Sequence, residues 1–301
     1  MTLSIAHLGP TGTHSETAAL AYTQWLQESQ NQDAILCPYP SIAQTLEAVS
    51  KQEVQLAVVP VENSTEGSVT ITLDTLWQLE GLQIQKALVL PITHALLSHA
   101  HALADIKTVY SHPQALAQCQ KALQAQLPHV QLVPTASTVE AVRYLTKDSE
   151  KESAGAIASS RASQLYSLPI LLSSLNDYPD NCTRFWVVGY PPRSPHSWGD
   201  VRGGGNYISL GFTTPTNEPG TLVRPLSVFA QRHINLTRIE SRPTKRFLGE
   251  YLFFLEIEAN ARDSHVKAAL ADLPQYTDVL KIFGNYDILP INGSYSTTSL
   301  C

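Results

Sequence analysis

Proline and glycine crowd into two short runs, Pro191-Pro192-Arg193-Ser194-Pro195 and Gly203-Gly204-Gly205, and regular secondary structure does not continue through such a stretch. The 301-residue chain is thereby divided into residues 1–190, a linker 191–205 and a C-terminal part, in line with the length prior for two domains. Before the linker, β-favouring runs alternate with helical patterns: Leu3–Leu8, a helix to about Gln27, Ala34–Tyr39, a helix from Ser41 to about Lys51, and Leu56–Val61. Val69–Glu80 follows as a helix, Leu82–Pro91 as an extended crossing segment, Ile106–Tyr110 as a strand and Pro113 to about Leu127 as a helix. Val130–Pro134, Thr138–Thr146, Ala154–Ala158, a helix through Tyr166 and Ile170–Leu172 continue the alternation, which predicts an α/β fold. After the linker the order changes. Asn206–Phe212 (strand), Pro219 to about Arg232 (helix), Asn235–Ser241 and Tyr251–Glu258 (strands), Ser264–Leu273 (helix) and Thr277–Phe283 (strand) spell β-α-β-β-α-β, the ferredoxin-like order. Pro225 inside the first of these helices predicts a kink or a late start. This domain is assigned residues 206–289, and the Ser- and Thr-rich residues 290–301 are expected to be a disordered tail.

The net charge of −6 without a basic run argues against nucleic-acid binding. Cys37, Cys119, Cys182 and Cys301 lie far apart with no ligand-like spacing, so reduced thiols are expected rather than a disulfide framework or a metal site. The N-terminus lacks signal-peptide character. The most apolar segment, Ala87–Leu97, is too short for a bilayer, which needs about 20 residues. A cytoplasmic protein with no membrane role follows as the expectation.

Polar side chains gather where strands end. Asp180-Asn181-Cys182-Thr183-Arg184 runs into Phe185-Trp186-Val187-Val188, a bulky run that reads as a buried strand. Strand alternation places Asn181, Thr183 and Phe185 on one face and Cys182, Arg184 and Trp186 on the other. Thr183 reads either as an ordinary β-former or as a hydroxyl donor, and Arg184 either as a surface charge or as a planar carboxylate ligand. Glu62-Asn63-Ser64-Thr65-Glu66-Gly67-Ser68 follows the third strand, at the end where open α/β sheets place ligands, although many such loops are only solvated turns. Gly9-Pro10-Thr11-Gly12-Thr13-His14-Ser15-Glu16 opens a helix, with Thr13 and Glu16 at capping-box spacing. The same turn offers backbone N–H groups to an anion, but it lacks a dinucleotide fingerprint. Ser111-His112-Pro113-Gln114 opens another helix, where His112 is either a cap or a proton donor.

Taken together, Gly9-Pro10-x-Gly12-Thr13-x-Ser15-Glu16, Pro60-Val61-Glu62-Asn63-Ser64 with Gly67, Ser111-His112-Pro113-Gln114 with Gln118-Cys119, Asn181-x-Thr183-Arg184-Phe185 and Glu240-Ser241-Arg242-Pro243 resemble the prephenate dehydratase family, including its C-terminal regulatory ACT domain. No helical segment precedes Leu3, so the chorismate mutase domain fused to some relatives is not expected. The resemblance implies two α/β lobes arranged like a periplasmic binding protein. Lobe one would be about residues 1–80 and 175–190, and lobe two about 81–174, with the substrate in the cleft. It implies conversion of prephenate to phenylpyruvate, carbon dioxide and water with no cofactor and no metal. Thr183 then acts at the leaving hydroxyl, relayed from Glu62 or His112. Thr13, Ser15, Asn63, Ser64, Thr65, Ser111, Gln114, Asn181, Arg184 and Phe185 hold the substrate, Arg184 binding a carboxylate and Phe185 forming an apolar wall. Arogenate as substrate, or a non-catalytic amino-acid sensor, are the alternatives.

For the C-terminal domain the resemblance implies phenylalanine as a feedback effector, held by Gly220, Thr221, Leu222, Asn235, Leu236, Glu240, Ser241, Arg242 and Pro243. The family's usual Gly-Ala-Leu reads Gly220-Thr221-Leu222 here. The plainer reading is that Pro243 ends an edge strand and Arg242 is a solvated charge. Side-by-side pairing of these domains in the family implies a homodimer or homotetramer.

Overall fold

The computed structural model describes residues 2–147, 153–191 and 204–291. Most of the linker (192–203) and most of the expected tail (292–301) lie outside the described residues. The chain opens with β1 (Leu3–Leu8), α1 (His14–Gln30), β2 (Ala34–Tyr39), α2 (Ile42–Ser50), β3 (Leu56–Asn63), β4 (Gly67–Ser68), α3 (Thr70–Gln78) and β5 (Gln83–Pro91). It then crosses into β6 (Ala95–Ser98), β7 (Thr108–Ser111), α4 (Pro113–Gln118), α5 (Gln120–Gln126), β8 (Gln131–Pro134), α6 (Thr138–Lys147), β9 (Ala154–Ala158), α7 (Ser160–Tyr166) and β10 (Ile170–Leu172). It returns as β11 (Cys182–Gly189) and continues through β12 (Tyr207–Thr213), α8 (Val223–Ala230), β13 (Asn235–Pro243), β14 (Tyr251–Glu258), α9 (Ser264–Asp272), β15 (Leu280–Tyr286) and β16 (Ile288–Pro290).

The described residues form three sheets. The first lobe holds the order β16-β5-β11-β3-β1-β2 with β4 paired to β3, the second lobe β10-β6-β9-β7-β8, and the C-terminal domain β13-β14-β12-β15. The two-lobed α/β region and the β-α-β-β-α-β domain are both present. Two boundaries differ from the sequence reading. The extended crossing segment is a full strand of the first sheet, pairing with β11 from Gln83 to Pro91, so the second lobe starts after Pro91. At the other end, Ile288–Pro290 pairs parallel with β5, and Ile291 is buried in the first lobe's core, so the expected tail is structured in its first two residues.

Pro225 produces a late start: α8 begins at Val223, with Gly220 at φ +85° just before it. The helix expected from Pro113 to about Leu127 breaks at Cys119. There the Asp177 carboxylate accepts from Lys121 N and Ala122 N at 2.9 and 3.0 Å, starting a second helix from outside.

One apolar core joins the first lobe to the C-terminal domain. Val59, Leu73, Leu76, Ile84, Trp186 and Val188 pack with Leu252, Phe254, Phe283 and Tyr286, while α8 and α9 cover the other face of the C-terminal sheet. The approach is backbone-close at Gly284 (φ +152°), where a Cβ would lie 2.4 Å from the Ile84 carbonyl oxygen. No described helix is long and apolar enough to cross a membrane, and no group of His, Cys, Asp or Glu among the described residues is arranged for a metal.

Candidate active site

β3 and β11 pair antiparallel with Thr183 opposite Asn63 and Arg184 opposite Glu62. Cross-strand partners share a face, so one register decides which polar residues meet. Asn63, Thr183 and Asn181 are all buried. The amide orientation of Asn63 follows from backbone groups that cannot rotate: Oδ1 accepts from Thr65 N and Glu66 N, both at 3.1 Å, and Nδ2 donates to Cys182 O at 3.1 Å. The two N–H groups of Nδ2 are therefore shared among Cys182 O, Asn181 Oδ1 and Thr183 Oγ1, the last two each at 2.9 Å.

The orientation propagates. With its Oδ1 accepting from Asn63, Asn181 donates Nδ2 to Gln118 Oε1 at 3.1 Å. Gln118 then donates Nε2 to Thr65 Oγ1 at 3.1 Å, and Thr65 donates its hydroxyl to Asn63 Oδ1 at 2.7 Å. Four side chains close a ring in which every donor points the same way, and hydrogen bonds in such a chain polarise one another. Ser64 fits it, accepting from Cys182 N at 3.0 Å and reaching Asn181 Oδ1 at 3.3 Å. Because Thr183 Oγ1 is an acceptor from Asn63, its own proton remains available to a ligand.

Gln118, part of the Gln118-Cys119 motif, is a member of the ring that no local spacing assigns a side-chain role. Its signal is three-dimensional: it ends α4 beside the Asp177-capped break, and its carbonyl oxygen accepts from Asp177 N at 2.8 Å. It is also a tie between the lobes, as is Ser159, whose Oγ donates to Gly12 O at 2.9 Å.

Other candidates go elsewhere. Arg184, expected to bind a substrate carboxylate, lies on the far face of β11 and donates from Nη1 to Glu256 Oε1 of β14 at 2.8 Å. Burial opposes its charge, but Glu256, with Tyr286 and Glu62, outweighs that and raises its pKa above the ordinary value. Glu62 shares the Arg184 face, so the register does not bring it to Thr183. Phe185 is buried in the core beneath α1 with Ala18, Ala19 and Tyr22, and forms no cleft wall. His112 caps α4, with Nδ1 accepting from Gln114 N at 3.3 Å, while Gln114 is exposed. Ser111 donates to Ile157 O at 2.6 Å. At the first turn, Thr13 caps α1 by accepting from Glu16 N at 3.3 Å, and Glu16 accepts from Gly12 N at 2.7 Å. The turn expected to receive an anion thus already holds a carboxylate, with Arg161 of α7 at 3.6 Å from it. Ser15 is buried beside them.

In the C-terminal domain the two effector motifs separate. Gly220, Thr221 and Leu222 line a cavity of about 440 Å³ with Phe247 of the loop before β14 and Tyr251 at the start of that strand. Asn235, Leu236, Glu240, Ser241, Arg242 and Pro243 lie on the edge strand β13 outside it. Asn235 Nδ2 donates to Glu258 at 3.3 Å. Glu240 accepts from Ser68 at 2.8 Å, and Arg242 binds both oxygens of Asp74 at 3.1 Å. Arg242 is therefore an interdomain anchor and not a solvated charge.

A two-lobed α/β region with a buried amide–hydroxyl network between its lobes, followed by a ferredoxin-like domain, defines a cleft enzyme with an appended regulatory-type module. The prephenate dehydratase family profile matches residues 5–193 and the ACT domain profile residues 208–275. The chain belongs to the prephenate dehydratase family. It is 34% identical to a prephenate dehydratase of Lactococcus lactis over 95% of this chain and 98% of that one. It is 36% identical to a bifunctional chorismate mutase/prephenate dehydratase of Aquifex aeolicus, over 94% of this chain and 73% of that one. A crystal structure of prephenate dehydratase from Arthrobacter aurescens in complex with L-Phe superposes with a TM-score of 0.82 at 33% identity, covering 95% of this chain and 90% of that chain.

Proposed function

We propose that the chain converts prephenate to phenylpyruvate, carbon dioxide and water, with Thr183 as hydrogen-bond donor to the departing hydroxyl. The observation that carries this is the Asn63–Thr183 contact: the amide fills a lone pair of Oγ1 and leaves its proton for the substrate. As the ring carboxylate leaves as carbon dioxide, its electron pair re-forms the aromatic ring and expels hydroxide, which Thr183 hydrogen-bonds as it forms and which takes its proton from solvent to depart as water. A donor positioned where that charge develops stabilises the transition state. A threonine hydroxyl is too weak an acid to titrate freely, so the role is donation within a fixed network and not proton release to solvent. Binding of the two substrate carboxylates is assigned to Ser15 and Ser64 on one wall and Gln114 on the other, because the hydroxyls of Thr13, Thr65 and Ser111 already donate to Leu8 O, Asn63 Oδ1 and Ile157 O; Arg184, which faces Glu256, is not assigned a substrate carboxylate.

Phenylalanine is assigned to the cavity at Gly220-Thr221-Leu222, supported by the relative that was solved with L-Phe. With Ser241 and Pro243 outside that cavity on an edge strand, a second copy placed edge to edge supplies them, which makes the unit a homodimer or a dimer of dimers. Free thiols at Cys37 and Cys119 accord with a cytoplasmic enzyme. The test is turnover of prephenate and arogenate by one preparation. Phenylpyruvate from prephenate at about ten times the rate on arogenate supports the reading, a difference of ~1.4 kcal/mol. Calorimetric binding of prephenate without product would overturn it.

A further inference from the structure

His94 lies on the first crossing between the lobes and is buried. Asn176, on the return crossing, fixes it: the His94 backbone N–H donates to Asn176 Oδ1 at 2.7 Å, Asn176 Nδ2 donates to Ile92 O at 2.7 Å, and Leu175 N donates to His94 O at 2.9 Å. Its ring therefore has a set position relative to both crossings. That ring reaches Gln118, with Nε2 at 3.0 Å from Oε1.

The direction of the ring of amides makes this contact informative. Gln118 Oε1 faces Asn181 Nδ2, a consequence of the backbone groups that orient Asn63. An amide oxygen only accepts, so His94 Nε2 must carry the proton and Nδ1 must be bare. Nδ1 is buried without a hydrogen-bond partner, and the His14 ring stands edge-on to it with centroids 5.6 Å apart. Burial lowers the His94 pKa, which keeps the ring neutral and in this one-proton form.

We propose that His94 is a positioning residue for the dehydration, its Nε2–H fixing the Gln118 amide and through it Asn181, so that Asn181 Oδ1 stays the acceptor that shares the backbone-oriented Asn63 Nδ2 with Thr183. Like Asn181, whose amide bonds only to the side chains of Asn63, Ser64 and Gln118, Gln118 has no backbone group among the described residues holding its amide orientation. Its oxygen has two donors, Asn181 and His94, and its nitrogen has acceptors at Thr65 and Glu66, the latter at 3.4 Å. Without the imidazole, a flipped Gln118 loses one donor fewer, and the flipped amide points an N–H at Asn181 Nδ2. Asn181, and then the shared donors of Asn63, lose their fixed arrangement. Ser15 and Gln114 on the walls lie outside the ring, so the loss falls mainly on kcat.

This rests on the assignment of prephenate dehydration to the site, and wild-type turnover in the same assay tests that assignment separately. The experiment compares full-length wild type, His94→Leu and His94→Gln by steady-state kinetics and thermal midpoint, with ¹⁵N NMR of the wild-type His94 ring. The expected result is a fall in kcat of about tenfold or more for His94→Leu with KM within about threefold. His94→Gln, which restores an N–H near the Nε2 position, recovers most of it, and the NMR shows the Nε2–H tautomer. His94→Leu with kcat within about threefold of wild type would overturn the proposal. So would His94→Gln as impaired as His94→Leu at an equal thermal midpoint, or an Nδ1–H tautomer. If His94→Leu does not fold, the His94→Gln kinetics and the tautomer decide.

Discussion

Arg184 and Glu256, 72 residues apart in sequence, meet at 2.8 Å across the boundary between the first lobe and the C-terminal domain. Glu256 also accepts from Tyr286 at 2.7 Å and from Thr237 at 2.8 Å, so a buried carboxylate is satisfied by three donors. The Tyr286 hydroxyl, pushed well above its usual pKa by burial and by Glu256, stays protonated and keeps donating. Thr183, one residue before Arg184, points the other way into the amide ring. One strand thus carries the proposed catalytic hydroxyl on one face and the domain contact on the next residue's face.

Removing either partner of that pair leaves a buried charge without compensation, which typically costs about 3–5 kcal/mol. Arg184→Met and Glu256→Met are each expected to lower the urea midpoint strongly, and the double variant to regain most of the loss. Equal losses that simply add in the double variant would show that the pair is not coupled.

Thr183→Ala is expected to keep prephenate binding while losing more than about nine-tenths of kcat, above ~1.4 kcal/mol. Asn63→Ala should fall in the same range, since it removes the group that orients the hydroxyl. Calorimetry gives the binding and phenylpyruvate absorbance the turnover. A Thr183→Ala enzyme with more than about a tenth of wild-type turnover contradicts the assigned role.

Acid stability should carry the signature of a half-buried histidine whose Nε2 is shut off from solvent. Burial, and then the neighbouring His94, lower His14 from the ordinary 6.5 to about 3. Between those values the unfolded chain binds a proton that the native chain does not, so this contribution is fully present above about pH 6.5 and is lost as the pH falls toward 3. The slope from this one group approaches ~1.4 kcal/mol per pH unit. Urea midpoints measured from pH 7 down to pH 4.5 should show a shallower decline in His14→Leu than in wild type.

Leu222→Asp places a charge on the wall of the C-terminal cavity. The phenylalanine concentration for half-inhibition is expected to rise by about tenfold or more, ~1.4 kcal/mol of lost binding. Half-inhibition that is unchanged while the variant remains folded would place phenylalanine elsewhere, with competition against prephenate identifying the cleft.

A chain ending after Pro191 is not expected to yield a soluble two-lobed enzyme. It would expose Trp186, Val188, Leu73, Leu76 and Ile84, which the C-terminal domain covers, and would remove β16 from the edge of β5. Large exposed apolar patches of this kind favour association. Light scattering of the truncated chain beside full-length protein checks the outcome; a monodisperse truncated protein contradicts the shared core.

Local chemistry in the sequence was enough to determine the alternation of elements, the cap at Thr13 and the opposite directions of Thr183 and Arg184, and it narrowed His112 to a cap or a proton donor and α8 to a kink or a late start. Each depends on side-chain spacing or on a single residue's backbone preference. The tertiary structure alone decided what those side chains meet. Arg184 reads as a carboxylate ligand until β14 brings Glu256 to its face, and Glu62 reads as a relay until the β3–β11 register puts it beside Arg184. Gln118 and His94 join Asn181 and Thr65 through contacts spanning 24 to 63 positions, and no local pattern encodes which amide oxygen accepts from which nitrogen. Ile288–Pro290 follows the C-terminal domain in sequence yet completes the first sheet, because the exposed edge of β5 offers backbone partners that only the folded chain brings within reach.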